Sequence, residues 1–506
     1  MSNTHSRGAP IGEFGDMHPE VFRTYGHRII DWIADYLAAV DRYPVLSEVT
    51  PGRVRQQLPL QPPDEPESMD SILEDLEKII VPGLTHWNHP AFFAYFAITG
   101  SGPGILGELL CAAFNVNAML WKTAPAATEL EEVVLDWLRQ MVGLPPSFQG
   151  IIYDTASISS LHAIAAARER IPDMKVREKG LAGRPEVPRL RLYTSEQAHS
   201  SIEKAAITLG IGQEGVRKIP VDEEFRLDPQ ALERAIEEDR AAGWRPFCIV
   251  ATIGTTSTTS VDPVPAIADI AERHGLWLHV DAAYGGSAAI LPEMRWVLDG
   301  CERADSIVVN PHKWLFTPID LSAFYCRHFD VLRRAFSLVP EYLRTTEDEQ
   351  VRNYMDYGVQ LGRRFRALKL WMVIRAFGRK GLAARIRQHI QWAERVVRWI
   401  DAHPDFERLA PVPFSTICFR AHPHDLPDGS DDVEAYLDEL NEALLESVNR
   451  TGRIYLSHTR LRGRFALRMA IGNLRTTEEH IARAWTLLRE HAARLDTERR
   501  PAHWRA

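Results

Sequence analysis

The 506-residue sequence has few cysteines and no large excess of either charge. Its five cysteines lie far apart and form no CxxC pair, which disfavours a disulfide framework or a zinc site and favours a reducing, cytosolic compartment. The net charge of -9 comes from interspersed acidic and basic residues, so no basic face for nucleic acid is expected. No apolar run approaches about 18 residues, so no membrane span is expected. The N-terminal residues lack the apolar stretch of a secretory signal.

The phosphate-binding motif GxxxxGK is also absent. From about residue 150 to 327, short apolar runs alternate with helical patterns. The runs are GIIYD, RLRLYT, FCIVATIG, LWLHVDA, SIVVN and SAFYC. This alternation predicts βαβ units and a mostly parallel sheet. In open sheets of this kind, the chemistry lies at the carboxyl ends of the strands.

The flanking regions have different patterns. Residues 17–42 have the apolar spacing of an amphipathic helix and lead into a proline-rich extended connection. Such a helix needs a surface to cover it, and either a partner subunit or its own chain could supply one. After residue 369, a long helical pattern, strand-like STICFRA and FALRMAIG, and a last helix predict a smaller α+β domain.

Several polar side chains fall where the predicted strands end. Thr155 to Ser157 begin a helix, where they either cap it or form an anion site. Asp281 follows an apolar strand, as an N-cap, an ion-pair partner or a carboxylate aimed at a cationic ring nitrogen. His199 lies at a turn, where a lone histidine is more often structural, and Thr256 belongs to a hydroxyl cluster. Lys313, in NPHKW, lies just past the end of an interior strand, although lysine is rarely buried without a partner.

Together these groups match the needs of pyridoxal 5′-phosphate (PLP). The phosphate needs a helix N-terminus, the pyridine nitrogen needs a carboxylate, and the aldehyde needs an amine for a Schiff base. The alternative, an ordinary loop lysine at position 313, does not explain its setting. The rings of Trp87, Tyr95 and Phe96 are either core packing or walls suited to a flat aromatic substrate.

HVDAAYGGSA together with NPHKW resembles the PLP-dependent decarboxylases of the aromatic L-amino-acid decarboxylase family. Four further segments are similar to signatures of that family, and the likeness extends over about residues 17–490. They are HWNHPAFFAYF (86–96), APAATELEEVVLDWL (124–138), SEQAHSSIEKA (195–205) and LGRRFRALKLW (361–371).

The resemblance implies an α/β protein of the aspartate-aminotransferase-like PLP-dependent transferase fold, with helices on both faces of a mostly parallel sheet. It implies a cytoplasmic homodimer with an N-terminal helical segment (1–93) that wraps the partner. A large PLP-binding domain (94–368) and a small C-terminal α+β domain (369–506) would follow. The implied activity is that of a lyase without a metal. It would convert an aromatic L-amino acid (Trp, 5-hydroxy-Trp, Phe, Tyr or DOPA) to its amine and CO2.

The resemblance also assigns roles to residues. Lys313 would bind the cofactor aldehyde, Asp281 would pair with the pyridinium nitrogen, and His199 would stack on the ring. Tyr342, in LVPEYLR, matches a mobile-loop tyrosine that protonates the substrate carbon, and residues around 330–356 would form the lid. The other implied cofactor-binding residues are Thr155, Ala156, Ser157, Thr256, Ala283, Asn310 and His312.

Several positions differ from the best-known aromatic decarboxylases. Ala97 and Ile98 follow AYF where Pro and then Thr or Ser are usual, and Met119 holds the place of a pocket Phe. Ile158 replaces a Glu, and Gly362 matches plant members that favour indoles. The expected substrate pocket comprises Trp87, Tyr95, Phe96, Ile98, Met119 and Gly362.

Three alternatives stay open. The first is a decarboxylase of another amino acid such as His. The second is an aldehyde synthase, and such enzymes tend to have Phe at position 342 and, in some cases, Asn at position 199. The third is a catalytically inactive PLP-binding protein. An aminotransferase would usually offer an arginine to the α-carboxylate. The matching motifs offer only Arg363 and Arg364, a pair that the decarboxylase family also has.

Overall fold

The structure, a computed structural model, describes residues 15–96, 98–338, 350–426 and 429–504. Its larger sheet has seven strands in the order β1-β7-β6-β5-β4-β2-β3. Only β7 runs antiparallel to its neighbours, so the expected mostly parallel sheet is confirmed. The strands are β1 (Gln149–Tyr153), β2 (Leu190–Ser195), β3 (Val216–Ile219), β4 (Arg245–Thr252), β5 (Trp277–Asp281), β6 (Ser306–Val309) and β7 (Ser322–Cys326).

All six strands expected from apolar runs are present, and β3 is the one that was missed. Its sequence, VRKI, has two basic residues and forms no apolar run. Because β3 lies at the edge of the sheet, only Ile219 of its four side chains is fully buried. Edge position therefore explains why this strand has no hydrophobic signature.

Helices precede, connect and follow the strands. Those before and within the large sheet are α1 (Pro19–Ala38), α2 (Arg53–Gln57), α3 (Met69–Asp75), α4 (Gly102–Phe114), α5 (Pro125–Val142), α6 (Ala156–Glu169), α7 (Val176–Lys179), α8 (Ser201–Thr208), α9 (Pro229–Ala241), α10 (Val264–His274), α11 (Pro311–Trp314) and α12 (Phe329–Phe336). Those after it are α13 (Ala367–Asp401), α14 (Asp431–Asn449) and α15 (Glu478–Arg499).

Both faces of the large sheet are covered. Along β4, Ile249 belongs to one hydrophobic cluster, whereas its neighbours Cys248 and Val250 belong to another. Side chains alternate between the two faces of a strand, so the two clusters lie on opposite faces. Burial on both faces explains why the central strands are continuous apolar runs rather than alternating ones.

The smaller sheet is antiparallel and has the order β10-β11-β9-β8. Its strands are β8 (Phe406–Arg408), β9 (Thr416–Ala421), β10 (Ser457–Leu461) and β11 (Arg464–Ala470). The segment before α4 joins this unit, since Phe93 N–H donates to Tyr455 O (2.9 Å) and Ala470 N–H donates to Phe93 O (2.8 Å). These bonds hold the residues that follow Phe93 between the two sheets.

Helix α13 packs against both units. Leu370 and Ile386 belong to the core of the large sheet, whereas Ala393 and Ile400 belong to the core of the small one. The helix bends at Gly378, whose backbone is non-helical (φ 62°, ψ 164°). The expected boundary between residues 368 and 369 falls in the first turn of this helix, and the division into domains stays a prediction.

The predicted N-terminal amphipathic helix forms as α1 and is only partly covered by its own chain, where Tyr36 packs against His86. None of its residues is buried, and Phe22 and Ile30 are 64% and 37% exposed. Among the described residues, no helix is long and apolar enough to cross a membrane, and no cluster of side chains could hold a metal ion.

Candidate active site

A cavity of about 570 Å³ lies at the carboxyl ends of the central strands, closed on one side by β10 and β11. It brings together most of the residues that the sequence singled out. These are Trp87, Tyr95, Phe96, Ile98, Thr155, Ala156, Ser157, His199, Thr256, Asp281, Ala283, Asn310, His312 and Lys313. Met119 and Gly362 are not among the residues that line it. Tyr342 and Ala97 lie outside the described residues.

Lys313 enters the cavity from α11, the one-turn helix that directly follows β6. Pro311 occupies the first helical position, where its fixed φ favours a helix start. Asn310 N–H donates to Ala283 O (3.1 Å), which ties this turn to the one after β5. The Lys313 amine lies 5.1 Å from the centre of the Phe96 ring.

The charge on Lys313 depends on three neighbouring effects. Burial lowers the pKa of its amine because desolvation penalises the ammonium form. The carboxylate of Asp281 raises the pKa, and the guanidinium of Arg468 lowers it. The net effect is a pKa below that of an ordinary lysine, so a larger fraction of the amine is neutral and nucleophilic near neutral pH.

Asp281 is the last residue of β5 and is only 6% exposed. Its Oδ1 accepts a hydrogen bond from Ala283 N–H at 3.1 Å. In the described part of the chain, no basic side chain lies within ion-pair distance of it. A carboxylate in this position is available to a cationic group in the cavity.

The start of α6 has the features of an anion site. Thr155 is its N-cap residue but makes no side-chain hydrogen bond to the helix. Instead, Thr155 N–H and its hydroxyl donate to Asp154 Oδ1 at 2.6 and 3.2 Å. Gln360 fixes the other oxygen of Asp154 from a distant loop (3.0 Å). The first amides of α6 are therefore left without a side-chain cap at the cavity wall, where an anion could accept their hydrogen bonds.

Two histidines in the cavity are held neutral. His312 Nδ1 accepts from Leu321 N–H (2.9 Å), and burial lowers the pKa of His312 to about 3. His199 Nδ1 accepts from Ser201 N–H (3.1 Å), and burial also lowers the pKa of His199. A neutral imidazole can lie against a flat ring without adding charge to the cavity.

Three buried polar atoms of the cavity lining have no hydrogen-bond partner in the described chain. They are Thr252 Oγ1, Asn310 Oδ1 and Arg468 Nη2. Unsatisfied polar atoms are rare in protein interiors unless a ligand or water completes them. The residues fit PLP, because the lining offers a helix N-terminus, a carboxylate and an amine, and these orphaned atoms are ready for a polar ligand.

Among the described cavity residues that the sequence did not predict, Arg468 is the one with a full charge. It projects from β11, where its Nε donates to Ser257 O (2.9 Å) and its Nη1 donates to Tyr95 O. Its guanidinium carbon lies 4.7 Å from the centre of the Phe96 ring. A lone arginine inside the apolar strand FALRMAIG was the available signal, since an arginine is rarely buried without a function or a partner.

Arg363 and Arg364, the arginines considered from the sequence, point elsewhere. Arg363 is buried, and its Nη2 donates to Glu131 Oε1 (2.6 Å) and Ile152 O (2.9 Å). Arg364 pairs with Glu108 on α4. Both arginines therefore hold helices and strands together rather than line the cavity.

Aromatic rings form one wall of the cavity. Tyr95 stacks on Trp87 at 5.8 Å, and Phe96 stacks on Tyr284 at 4.1 Å. Tyr95 has a positive φ of 52°, a conformation that costs energy in a bulky residue. The hydrogen bond from Arg468 to Tyr95 O and the one from Tyr95 N–H to Ser457 Oγ (3.2 Å) hold it there.

Met119 and Gly362 lie close together outside this cavity. Arg363 N–H donates to Asn117 Oδ1 (2.9 Å), and Ala118 N–H donates to Arg363 O (2.8 Å). Met355 N–H donates to Met119 O (3.2 Å). We call residues 117–119 and 355–363 the two-segment patch.

The sheet and its cavity define a PLP-dependent enzyme of the aspartate-aminotransferase-like fold. Within that class, the model of the pyridoxal-dependent decarboxylase conserved domain matches residues 51–422. The chain therefore belongs to the family of PLP-dependent amino-acid decarboxylases.

Three similar proteins illustrate the range of this family. Tyrosine decarboxylase 4 of Petroselinum crispum is 43% identical, over 95% of this chain and 94% of the relative. A phenylacetaldehyde synthase of Petunia hybrida is 42% identical, over 95% and 96% of the two chains. The crystal structure of Oryza sativa TDC with PLP and tryptamine superposes with a TM-score of 0.90. It is 38% identical, and the match covers 95% of this chain and 99% of that one.

The charge balance at Lys313 can be tested without the cofactor. In the Asp281→Asn apoenzyme, loss of the carboxylate removes the effect that raises the Lys313 pKa, so this pKa should fall further. The neutral amine would then persist to lower pH. Labelling of Lys313 by a small amine-reactive reagent, followed by mass spectrometry, should therefore have its pH midpoint shifted downward.

The exposed Lys380 serves as the internal control for this experiment, because its labelling should be the same in both proteins. An unchanged or higher midpoint at Lys313 would contradict the electrostatic coupling of Lys313 to Asp281.

Proposed function

We propose that this chain decarboxylates an aromatic L-amino acid to the corresponding amine and CO2. The observation that carries this proposal is a single cavity with an amine, a carboxylate, an uncapped helix start and an aromatic wall. The tyrosine decarboxylase and the tryptamine complex among the similar proteins support an aromatic substrate. Gly362, which matches plant members of the family that favour indoles, favours an indole side chain in the substrate.

Lys313 and Asp281 would be the two residues that act on the cofactor during the reaction. Bound PLP supplies an electron sink, which takes up the electron pair of the Cα–carboxylate bond as CO2 leaves. Lys313 would hold the cofactor aldehyde until a substrate amine displaces it. Asp281 would keep a proton on the ring nitrogen and so stabilise the charge that develops there.

The other cavity residues would bind and orient. The cofactor phosphate would be held at the start of α6 and by Asn310, and His199 would lie against the ring. Thr155, Ala156, Ser157, Thr256, Ala283, Asn310 and His312 are the proposed cofactor contacts, besides Lys313 and Asp281.

Among the described residues that line the cavity, Arg468 is the one cation besides Lys313 that could contact the substrate carboxylate. Arg468 has an unpaired Nη2 beside the Phe96 ring and can orient the carboxylate. The apolar ring next to it disfavours a charged group relative to neutral CO2, which favours loss of the carboxylate. Trp87, Tyr95, Phe96 and Ile98 would contact the aromatic side chain.

Simple decarboxylation is proposed over the oxidative outcome. Overall similarity does not separate the two, since the phenylacetaldehyde synthase is 42% identical. Two positions of the sequence favour the simple outcome: His199, and Tyr342 in place of Phe. We assign to Tyr342, on its place in LVPEYLR, the protonation of the substrate carbon.

A product screen tests this proposal. The protein with added PLP is offered Trp, 5-hydroxy-Trp, Phe, Tyr, DOPA, His and Glu, while CO2, amine, O2 and peroxide are measured. We expect one amine per CO2 from the aromatic substrates and no O2 uptake. Selectivity among these substrates should be modest, because a few apolar contacts discriminate by only about 1–3 kcal/mol.

Each other outcome points to one of the alternatives. Peroxide equal to CO2 would identify an aldehyde synthase. Product from His or Glu alone would refute the aromatic assignment. Cofactor binding without turnover on any substrate would indicate an inactive PLP-binding protein.

We further propose that the enzyme is a homodimer whose N-terminal segment, residues 1–93, wraps the partner. Helix α1 has no buried residue in the single chain. Helix α4 exposes Leu106, Leu109, Leu110 and Phe114, which are 40–57% exposed. A second copy of the chain would cover such apolar faces. The two-segment patch, which holds Met119 and Gly362 outside the cavity of its own chain, would then complete the substrate pocket of the partner.

Complementation tests the shared pocket. Lys313→Ala and Gly362→Trp homodimers should each have little activity, since one lacks the amine and the other blocks a substrate pocket. After unfolding and refolding as a mixture, heterodimers should have one intact site, formed by Lys313 of one subunit and Gly362 of the other. We expect activity to return to roughly a quarter of wild type, since about half of the dimers are mixed and each has one site.

If the refolded mixture is dimeric by size measurement but has no activity, the hypothesis of a shared pocket is contradicted. In that case Gly362 would serve the cavity of its own chain. Wild-type protein taken through the same unfolding and refolding is the control for recovery of activity, and each variant refolded alone is the control for background.

Two further assignments complete the proposal. A cytosolic location is supported by the five cysteines, all of them buried free thiols in the structure. The domains are proposed as residues 1–93, 94–368 and 369–506, which would form the N-terminal segment, the PLP-binding domain and the small domain.

A further inference from the structure

A buried histidine on α13, His389, links two parts of the cavity wall that are far apart in sequence. Trp314 Nε1–H donates to His389 Nδ1 at 3.0 Å. The backbone of Asn473 lies close enough to the His389 ring to raise its pKa, against the larger effect of burial. The Asn473 side-chain amide donates to Trp87 O (3.1 Å) and to His89 O (2.9 Å). We call Trp314, His389, Asn473 and Trp87 the histidine relay.

The chemistry of the relay requires one form of the imidazole. Nδ1 accepts the indole N–H, so in the neutral ring the other nitrogen carries the proton and can donate it to the neighbouring Asn473 backbone. Burial lowers the pKa of His389 to about 4, so the ring stays neutral in the physiological range. His389 is 3% exposed and Asn473 is fully buried, which leaves little opportunity for water to replace either bond.

A column of aromatic rings runs beside these hydrogen bonds. Phe96 stacks on Tyr284 (4.1 Å, 21°), and Tyr284 stacks on Trp314 (4.7 Å, 10°). Trp314 lies parallel to His389 at 6.4 Å and 5°. Each ring restricts the next, so a shift of the His389 ring would be transmitted to Phe96 at the cavity wall.

The hydrogen bonds of the relay and the column of rings both lead to groups that the proposed reaction needs. Trp314 is the neighbour of Lys313 in the four-residue helix α11, so the orientation of its indole constrains the lysine backbone. Trp87 and Phe96 belong to the segment that forms the aromatic wall. The Lys313 amine and the Phe96 ring are 5.1 Å apart, a separation that small rotations of either element would change.

We propose that His389 is a positioning residue: through Trp314 and Asn473 it sets the position of the Lys313 amine relative to the aromatic wall. This inference rests on the proposed function, since it gives the relay a role in aligning cofactor and substrate. His389 itself does not line the cavity.

Three variants test the relay. His389→Leu removes both hydrogen bonds, whereas His389→Gln keeps an acceptor and a donor. Trp314→Phe keeps a ring in the column but removes the N–H. The readouts are the pH midpoint of the visible absorbance band of the PLP-loaded enzyme, and kcat and KM for Trp and for Tyr.

We expect the midpoint in His389→Leu and Trp314→Phe to shift by about half a pH unit or more, because Lys313 moves relative to Asp281 and Arg468. Turnover should fall on the order of tenfold or more, because small misplacements of reacting groups are costly. The ratio of kcat/KM for Trp to that for Tyr should change as well. His389→Gln should restore the midpoint and much of the rate.

His403→Leu is the matched control. His403 follows the end of the same helix and packs against Phe406 and Trp485, away from the relay. This variant should lose thermal stability without any shift of the midpoint.

The inference is overturned if Trp314→Phe and His389→Leu keep the wild-type midpoint and substrate ratio. If His389→Leu fails to fold, Trp314→Phe and His389→Gln still decide the matter. The visible absorbance band requires bound cofactor but does not require catalytic turnover. An enzyme with an intact band and no activity would therefore count against the proposed function and not against the relay.

Discussion

The amine of Lys313 is buried next to a carboxylate, and the chemistry of the site depends on that balance of charge. Burial lowers the pKa of the amine, while the carboxylate of Asp281 raises it and the guanidinium of Arg468 lowers it further. The same carboxylate is the group suited to a protonated ring nitrogen. Asp281 therefore influences both ends of the proposed cofactor site. The rest of the fold must hold the side chains of Lys313 and Asp281 at a fixed separation.

The sheet satisfies this constraint by placing β5 and β6 side by side. Asp281 ends β5 and pairs in register with Val308 of β6, five residues before Lys313. The turn after β5 packs closely against the end of β4. A side chain at Gly285 would prevent this packing, since its Cβ would lie 2.7 Å from Ile253 O. The start of α6 and the small antiparallel sheet then close the cavity from two other sides. Strands β5 and β6 are buried on both faces, which holds their side chains at fixed separations.

Most of the fold and the centre of the site could be predicted from the sequence, because both leave local signals. Buried strands are apolar runs, and Lys313, Asp281 and Thr155 each lie at or within a few residues of the end of such a run. Long-range packing leaves no such signal. Arg468 enters the cavity from β11, His389 sits within an ordinary helical pattern, and the position of Met119 and Gly362 depends on contacts between distant segments. The edge strand β3 was missed because solvent exposure removes the apolar pattern.

The covalent link between Lys313 and the cofactor is the most direct test of this account. Borohydride reduction of the PLP-loaded enzyme, followed by proteolysis and mass spectrometry, fixes the cofactor to the amine that holds it. The account predicts one pyridoxyl group per chain, on the peptide that contains Lys313. A pyridoxyl group on a different lysine would contradict it. The buried Lys369 is the sharpest comparison, because its amine is paired with Glu108.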